Sequence, residues 1–388
     1  MKVLILGASG KYGSEIAKIL AKNANIESLT LVSRSLESLQ NLASRLDGKA
    51  DVVERDVSDR NALTDILPGH DVLVNCTGHY EQHLELVLRA SIEAGVNYTD
   101  LSESREDAMI AFRLDGLAKE RGVTAIHGVG STPGAVNLLA VSAAKQLDSV
   151  DGLYAGFVVA GGALLPNSET VAAMRKQGKI SAVQETMFTS AAGKIAVLQN
   201  GSVREVDPIT SSINVPLPSG YTARVYPLNM SLCITLARVF PKLKNGGAYM
   251  GFLPDEVNHI LRKAGMDYSI KKLDLKEAVL GAFEQIASGA PDLFTLPQGA
   301  PGYIQWALAE GIKNGDRSRC VAVLGKRMGV EAAATAAALA LASGGVNKTG
   351  VLSIEEAFEP IEFFNNVSEI MYGEPFGKGD LTFQIKRC

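Results

Sequence analysis

Met1-Lys-Val-Leu-Ile-Leu-Gly-Ala-Ser-Gly-Lys-Tyr-Gly-Ser14 opens the chain. Val3 to Leu6 form a short unbroken apolar run, the pattern of a strand buried on both faces of a parallel sheet. Gly7, Gly10 and Gly13 follow at three-residue spacing, and Ser14 to Lys22 has helical periodicity with Ile16, Ala17, Ile19 and Leu20 apolar. The spacing is G-x-x-G-x-x-G rather than G-x-G-x-x-G, but it stands directly between a strand and a helix. Gly7 permits a tight turn, Gly10 lets backbone approach a phosphate, and Gly13 allows close helix–strand packing. The helix N-terminus adds free N–H groups and a partial positive charge. Gly7, Ser9, Gly10, Lys11, Tyr12 and Gly13 are therefore expected to cradle a dinucleotide pyrophosphate.

The same rhythm continues outward. Ser28 to Ser33 is a second strand candidate, followed at once by Arg34 and Ser35. A carboxylate at this strand end would accept hydrogen bonds from the ribose hydroxyls of NAD(H); none is present. Ser33, Arg34 and Ser35 instead suit a 2′-phosphate, so NADP(H) is expected in preference to NAD(H). Leu36–Leu46 is helical and Ala50–Glu54 a strand, after which either Asp56 and Val57 flank an adenine or Asp56 and Ser58 cap the next helix. Further strands are expected over 71–75, 96–101 and 123–127, with helices over 80–94 and 105–121. Six strands with helical crossovers in about 130 residues indicate a Rossmann doubly wound parallel sheet in an α/β protein. Thr132 suits the N-cap, and Pro133 the first position, of a helix running to Leu147.

The βα rhythm stops there. An apolar strand over 152–160 is interrupted by Gly161-Gly162. Asn200-Gly201 marks a hairpin between 195–198 and 203–206. More strands are expected over 222–228, 248–253 and 318–324, which makes a second, mixed α/β domain. The C-terminal part returns to helices: 331–343 is almost pure Ala and Leu, Ser353-x-x-Glu356 is a capping box, and Pro360 is expected to kink or split the segment that follows. The expected domains are 1–130, 131–330 for substrate and dimerisation, and a helical segment 331–388 that packs back on the first.

A chain of 388 residues with 46% hydrophobic and 21% charged residues has the balance of a soluble globular protein. A net charge of −4 without a basic run argues against nucleic acid as partner. The N-terminal apolar run is too short for a signal peptide, and the longest apolar stretch, Ala332–Ala342, is too short to span a bilayer, so a cytoplasmic protein without membrane contact is expected. Cys76, Cys233, Cys320 and Cys388 form no C-x-x-C pair, and no metal is expected.

Chemistry is expected at the carboxyl ends of strands four to six. Cys76, Thr77 and Gly78 are small residues that allow backbone contact with the cofactor. His79 and His83 have helical spacing but not the H-E-x-x-H pattern, which leaves His79 as a hydrogen-bond donor or general acid. His127 ends a buried strand and reads as a core histidine. Asp100 and, two residues before it on the same face, Tyr98 are catalytic candidates: the carboxylate would hold an amine or orient a water, or else simply cap its turn. Arg224 and Tyr226 share one face of a second-domain strand and suit a substrate carboxylate.

These residues together resemble the saccharopine dehydrogenase family, in its reductase-type members with an N-terminal NAD(P)-binding Rossmann domain. The resemblance is carried by Gly7–Gly13, Ser33-Arg34-Ser35, Asp71-Val-Leu-Val-Asn-Cys-Thr-Gly78, Ala94-Gly-Val-Asn-Tyr-Thr-Asp100 and Gly128-Val-Gly-Ser-Thr-Pro-Gly-Ala-Val-Asn137. It covers residues 1–140 well and the rest diffusely. It implies an NAD(P)-dependent dehydrogenase or reductase acting on a C–N bond, by oxidation of a secondary amine or reduction of an imine. The implied substrate is a small amine or amino acid. It also implies that the C-terminal helices return to the Rossmann domain and that a homodimer forms through the second domain. Thr132 stands where amino-acid-processing members often carry an acidic residue, which points away from saccharopine itself and leaves lysine, carboxynorspermidine-type polyamine precursors or another amine open. A non-catalytic NADP(H)-binding redox sensor is the competing class.

Overall fold

The computed structural model describes residues 1–59, 63–160, 166–289 and 302–388. Gly161-Gly162 lies outside the described residues. The chain forms two compact units, one of residues 1–138 with 328–377 and the other of 139–327 with 378–388.

The first unit is built on strands β1 (Lys2–Leu6), β2 (Ser28–Ser33), β3 (Ala50–Glu54), β4 (Val72–Asn75), β5 (Asn97–Asp100) and β6 (Thr124–His127). Helices α1 (Lys11–Ala21), α2 (Leu36–Ala43), α3 (Tyr80–Glu93), α4 (Arg105–Arg113) and α5 (Asp115–Arg121) connect them. A seventh strand, Gly350–Ser353, joins beside β6, and the sheet order is then Gly350–Ser353, β6, β5, β4, β1, β2, β3. Every pairing in it is parallel. Chain direction through the sheet reverses between β1 and β4, the switch point at which doubly wound sheets hold their ligands. Val3, Leu4, Ile5 and Leu6 are all fully buried, as the unbroken apolar run requires of a strand with helices on both faces.

The register places the strand ends level. Leu6 pairs with Val32 on one side and Asn75 on the other, and Asn75 pairs with Asp100. The loops at Gly7, Arg34, Cys76 and Leu101 therefore leave one edge of the sheet together. Gly7 has φ +72°, and a Cβ on it would lie 2.5 Å from the Cys76 carbonyl oxygen. A Cβ on Gly13 would lie 2.4 Å from the Gly7 carbonyl oxygen, so α1 sits against the turn as closely as only glycine allows.

Several elements differ in detail from the sequence expectation. The helix expected over 105–121 is two helices, broken at the buried Leu114 (φ −87°, ψ 0°). Thr132 does not cap a helix. The next one, α6, spans Ala135–Ala144, and the Asn137 side chain accepts the Gly134 N–H at 3.0 Å in the capping manner. Its residues cross from the first unit into the second.

The second unit holds a nine-stranded mixed sheet. Strands β7 (Ser149–Ala160), β10 (Ile213–Pro216), β11 (Thr222–Leu228), β12 (Asn245–Leu253), β13 (Tyr303–Lys313) and β14 (Asp316–Leu324) run in the order β10-β11-β12-β7-β13-β14, and the hairpin β8 (Ile195–Gln199) and β9 (Ser202–Val206) attaches to β12. Only β12 and β7 pair in parallel. β13 was not evident from residue pattern: it carries Trp306 fully buried, and its register shifts at Glu310/Gly311. That bulge breaks the period-two alternation by which strands are recognised.

The C-terminal segment is not helical throughout. After helix Val330–Ala342, the chain adds strand Gly350–Ser353 to the first sheet. The Ala-rich helix packs on α1, β4 and β5, its small side chains allowing close contact. The capping box at Ser353 and Glu356 forms. Pro360 begins the helix Pro360–Tyr372 rather than kinking it, taking the first position where its missing N–H costs nothing. Leu381–Arg387 then pairs with β14 in the second unit, as the edge strand of that sheet.

Gly13→Ala is expected to lower stability by about 1–3 kcal/mol, because the clash with the Gly7 carbonyl outweighs the gain in helix propensity. Gly116→Ala, at a helical position with nothing within 4 Å of the added Cβ, is expected to be neutral or slightly stabilising. Urea denaturation of the two variants side by side checks both.

Candidate functional site

The site begins at the glycine turn. Gly7 and Ala8 N–H groups both donate to the Val32 carbonyl, at 2.9 and 3.1 Å, and Gly10 N–H donates to the Gly7 carbonyl at 2.9 Å. Gly10 then stands as the residue before α1 in an extended conformation. Ser9, Gly10 and Lys11 are exposed, and the Lys11 ammonium lies over the Tyr12 ring. The turn is thus closed on itself by backbone bonds, and its first helical N–H groups are available to an anion.

At the end of β2, Ser33 is buried while Arg34 and Ser35 are exposed. Ser35 is the N-cap of α2, accepting from the Ser38 N–H. Arg34 makes no ion pair with a described residue. Glu54, which sequence reading passed over, stands at the end of β3 opposite Ser33 and accepts the Leu36 N–H at 3.2 Å. Asp56 forms an Asx turn, accepting the Ser58 N–H and hydroxyl at 3.0 and 2.9 Å; these bonds, with a smaller contribution from Arg34, hold its carboxyl below the usual range. Val57 packs partly buried against the core.

The β4 loop is shaped by Asn75. Its side-chain oxygen accepts the Thr77 N–H and hydroxyl at 3.2 and 2.8 Å, and its amide donates to the Tyr98 hydroxyl at 3.0 Å. The Tyr80 hydroxyl donates to the Asn75 carbonyl at 2.8 Å and accepts the Leu101 N–H at 3.3 Å. Sequence reasoning missed Asn75 and Tyr80; an Asx-turn residue at a strand end was the available signal. Burial pushes the Cys76 thiol up to about 12, which favours its neutral form. Gly78 and His79 both take left-handed backbone conformations, and His79 is half exposed, 3.6 Å from the Glu81 carboxylate. Among the described residues no group of His, Cys, Asp or Glu is arranged to hold a metal ion.

Asp100 and Tyr98 are fully buried. Asp100 Oδ1 accepts the Ser102 and Gly128 N–H groups at 3.0 and 2.9 Å, and its Oδ2 lies 3.0 Å from His127 Nδ1. The Asp100 carboxylate thus ties the end of β5 to the end of β6, and the direct grip on a substrate amine expected of it has no open face. Tyr98 is likewise shut in by burial and by Asn75, and its hydroxyl is held protonated well above the ordinary range by burial and by Asp100. His127 is more than a core histidine: burial opposes its charged form, but the charge and hydrogen bond of Asp100, with Asp107, raise its pKa overall.

In the second unit, Arg224 and Tyr226 do come together, around Asp255. The Tyr226 hydroxyl donates to Asp255 at 2.9 Å, whereas Arg224, half exposed, stands 3.8 Å from it and donates to the Ser212 hydroxyl at 3.2 Å. His259 lies 3.7 Å from the same carboxylate, and the buried Arg262 stacks its guanidinium over the Tyr226 ring. Asp255 and His259 were not singled out by sequence; their four-residue spacing at a helix start was the only cue.

Residues 3–126 match the model of the saccharopine dehydrogenase NADP binding domain. This chain carries that domain at its N-terminus. The whole chain is similar in fold to the apo histidine-tagged saccharopine dehydrogenase (L-Glu forming) from Saccharomyces cerevisiae, with a TM-score of 0.66 and 99% of each chain covered. Sequence identity there is 17%, so the likeness is one of fold. A lipid droplet localized protein of Caenorhabditis elegans is 26% identical over 138 residues, 33% of this chain. The match spans about a third (32%) of that relative's length. A Cβ on Gly7 or Gly13 would meet protein backbone, so these glycines close the turn, and the exposed Ser9, Gly10 and Lys11 at the start of α1 are what suit a nucleotide phosphate. No helix among the described residues is long and apolar enough to cross a membrane.

Asp100→Ala should cost about 3–5 kcal/mol, the usual penalty for orphaning a buried charged partner, rather than the ~0.5–2 kcal/mol of a lost cap. Because the His127 pKa is raised on folding, its stabilisation is complete below about 6.5, its ordinary value, and is lost as pH rises through the folded value. Stability should therefore fall more between pH 6 and pH 9 in the native protein than in Asp100→Asn, as measured by chemical denaturation at each pH.

Proposed function

We propose that this protein is an NADP(H)-dependent oxidoreductase acting on a C–N bond, by secondary amine oxidation or imine reduction on a small amine or amino-acid substrate. The observation that carries the reading is a saccharopine dehydrogenase NADP binding domain with its glycine turn level with the ends of β2, β4 and β5. A bound nicotinamide would supply or accept a hydride; the chain's own residues bind and orient it. Gly7, Ser9, Gly10, Lys11, Tyr12 and Gly13 are assigned to the pyrophosphate, Ser33, Arg34 and Ser35 to the 2′-phosphate, and Cys76, Thr77 and Gly78 to the nicotinamide side. Asn75, Tyr80, Tyr98 and Asp100 are positioning residues that hold the β4 and β5 loops in register. Arg224 is assigned to a substrate anion, since its link to Asp255 is loose and its guanidinium half exposed. A cytoplasmic homodimer belongs to the same proposal and is checked by cell fractionation and light scattering.

Arg34 favours NADP(H) because a charge-assisted hydrogen bond contributes roughly 1.5–3 kcal/mol, or about 10- to 150-fold in affinity. Glu54 favours the opposite outcome, because its carboxylate stands near the same strand end. Arg34→Ala should weaken NADPH by a factor in that range and leave NADH unchanged, as read by fluorescence titration. Equal affinity of the native protein for both cofactors defeats the preference. Gly10→Val should abolish the rise in melting temperature that NADPH causes while a cooperative melt persists. Amino acids and polyamines screened with NADP⁺ at alkaline pH test the reaction itself.

A further inference from the structure

Of the four carboxylates from β5 through the first turn of α4, Glu106 is exposed and paired with Arg105; the other three are Asp100, Glu103 and Asp107. Two of them are spent on structure. Asp100 is fully buried and accepts from two backbone N–H groups besides facing His127. Asp107 is buried at the start of α4, where Ser102 donates to it at 2.6 Å. Glu103 differs. It lies in the loop that leaves the sheet edge beside the β4 loop, is half-buried, and makes no hydrogen bond or ion pair with another described residue. A carboxylate drawn out of water without a partner costs stability that an exposed one does not. Such a group is expected where a reaction needs it.

We propose that Glu103 is the catalytic residue that exchanges a proton with the substrate nitrogen. The inference rests on the reading of the protein as an oxidoreductase of C–N bonds. A protonated secondary amine gives up one proton from nitrogen and one hydride from the adjoining carbon, the hydride going to oxidised nicotinamide. The carbon–nitrogen single bond becomes a double bond, leaving an iminium ion with one remaining N–H and a single positive charge. The proton released by nitrogen passes to an ionised Glu103 Oε, and in the reductive direction the neutral carboxyl returns it.

The surroundings suit that exchange. Burial raises the Glu103 carboxyl to about 7, so both of its forms are populated near neutral pH, where a general acid–base group works best. The other titratable groups of this edge are poorly placed for the task. Cys76 on the β4 loop is held neutral, raised to about 12 by burial. Tyr80 on α3 faces Glu103, and burial with the charges of Cys76, Asp100 and Glu103 keeps its hydroxyl protonated. Tyr98 on β5 is also held protonated. Asp107 on α4 and His127 on β6 are shifted upward but are closed in the core with Asp100. His79 and Glu81 pair loosely at the start of α3, where His83 also lies, and Arg105 on α4 is taken up by Glu106.

The test uses cofactor alone. NADP⁺ and NADPH differ by a positive charge on the nicotinamide and share the 2′-phosphate, whose titration cancels in their affinity ratio. With Glu103 beside the nicotinamide, its ionisation should raise the NADP⁺-to-NADPH affinity ratio by about tenfold between pH 5.5 and pH 8.5, a shift of one pKa unit. Calorimetric titration of the native protein reads the ratio. In Glu103→Gln the rise should vanish while both cofactors still bind; in Glu103→Asp a rise should remain, with its midpoint displaced. A ratio that does not change with pH in the native protein, with both cofactors bound, overturns the assignment without touching the nucleotide-binding reading. A rise that survives in Glu103→Gln overturns it in favour of His127 or Asp107. Failure of either cofactor to bind at any pH defeats the parent reading and this one together. Once a substrate is found, Glu103→Gln should lower turnover roughly 10²- to 10⁴-fold with little change in cofactor affinity.

Discussion

Backbone meets backbone at Gly7 with no room for a side chain, and the first unit is arranged around that contact. The Gly7 carbonyl receives the Gly10 N–H and lies where a Cβ on Gly13 would be, while the Cys76 carbonyl lies where a Cβ on Gly7 would be. One turn thereby joins three elements: β2 through Val32, β4 through Cys76 and α1 through Gly13. Since the strands are parallel and in register, the same contact sets the height of every loop on that edge of the sheet. A phosphate-binding turn displaced by an ångström would no longer face the β4 loop, so the tight packing and the proposed function draw on the same geometry.

Polar groups divide their work along that edge. Asn75, Tyr98 and Tyr80 bind the β4 loop to β5, and Asp100 binds β5 to β6 through His127 and two backbone N–H groups. Networks of this kind rigidify when nearly every member is satisfied. His127 Nε2 and the Thr132 hydroxyl are buried there without hydrogen-bond partners among the described residues. Asp100 is fully buried with both carboxylate oxygens engaged, whereas Glu103, the residue proposed to handle the proton, is left alone by the network. The distinction between Asp100 and Glu103 is one of environment, not of residue type, which is how two nearby carboxylates acquire different tasks.

What the amino-acid sequence determined alone was the alternation of elements and the residues whose chemistry is local. The apolar run Val3–Leu6, the glycines after it, the Asn200-Gly201 hairpin and the capping box at Ser353 all express their meaning within a few residues, through period and turn geometry. The doubly wound sheet and its cofactor loop follow from them. The tertiary structure decided what depends on distant segments. It set β13 beside β7 despite a bulge that hides its alternation, brought Gly350–Ser353 into the first sheet, and sent Leu381–Arg387 to the second. It also buried Asp100 against His127, gathered Arg224 and Tyr226 around Asp255, and left Glu103 half-buried without a hydrogen bond or ion pair among the described residues. Burial and pairing belong to a side chain's neighbours, which are remote in sequence, so neither is written in the residue that experiences them.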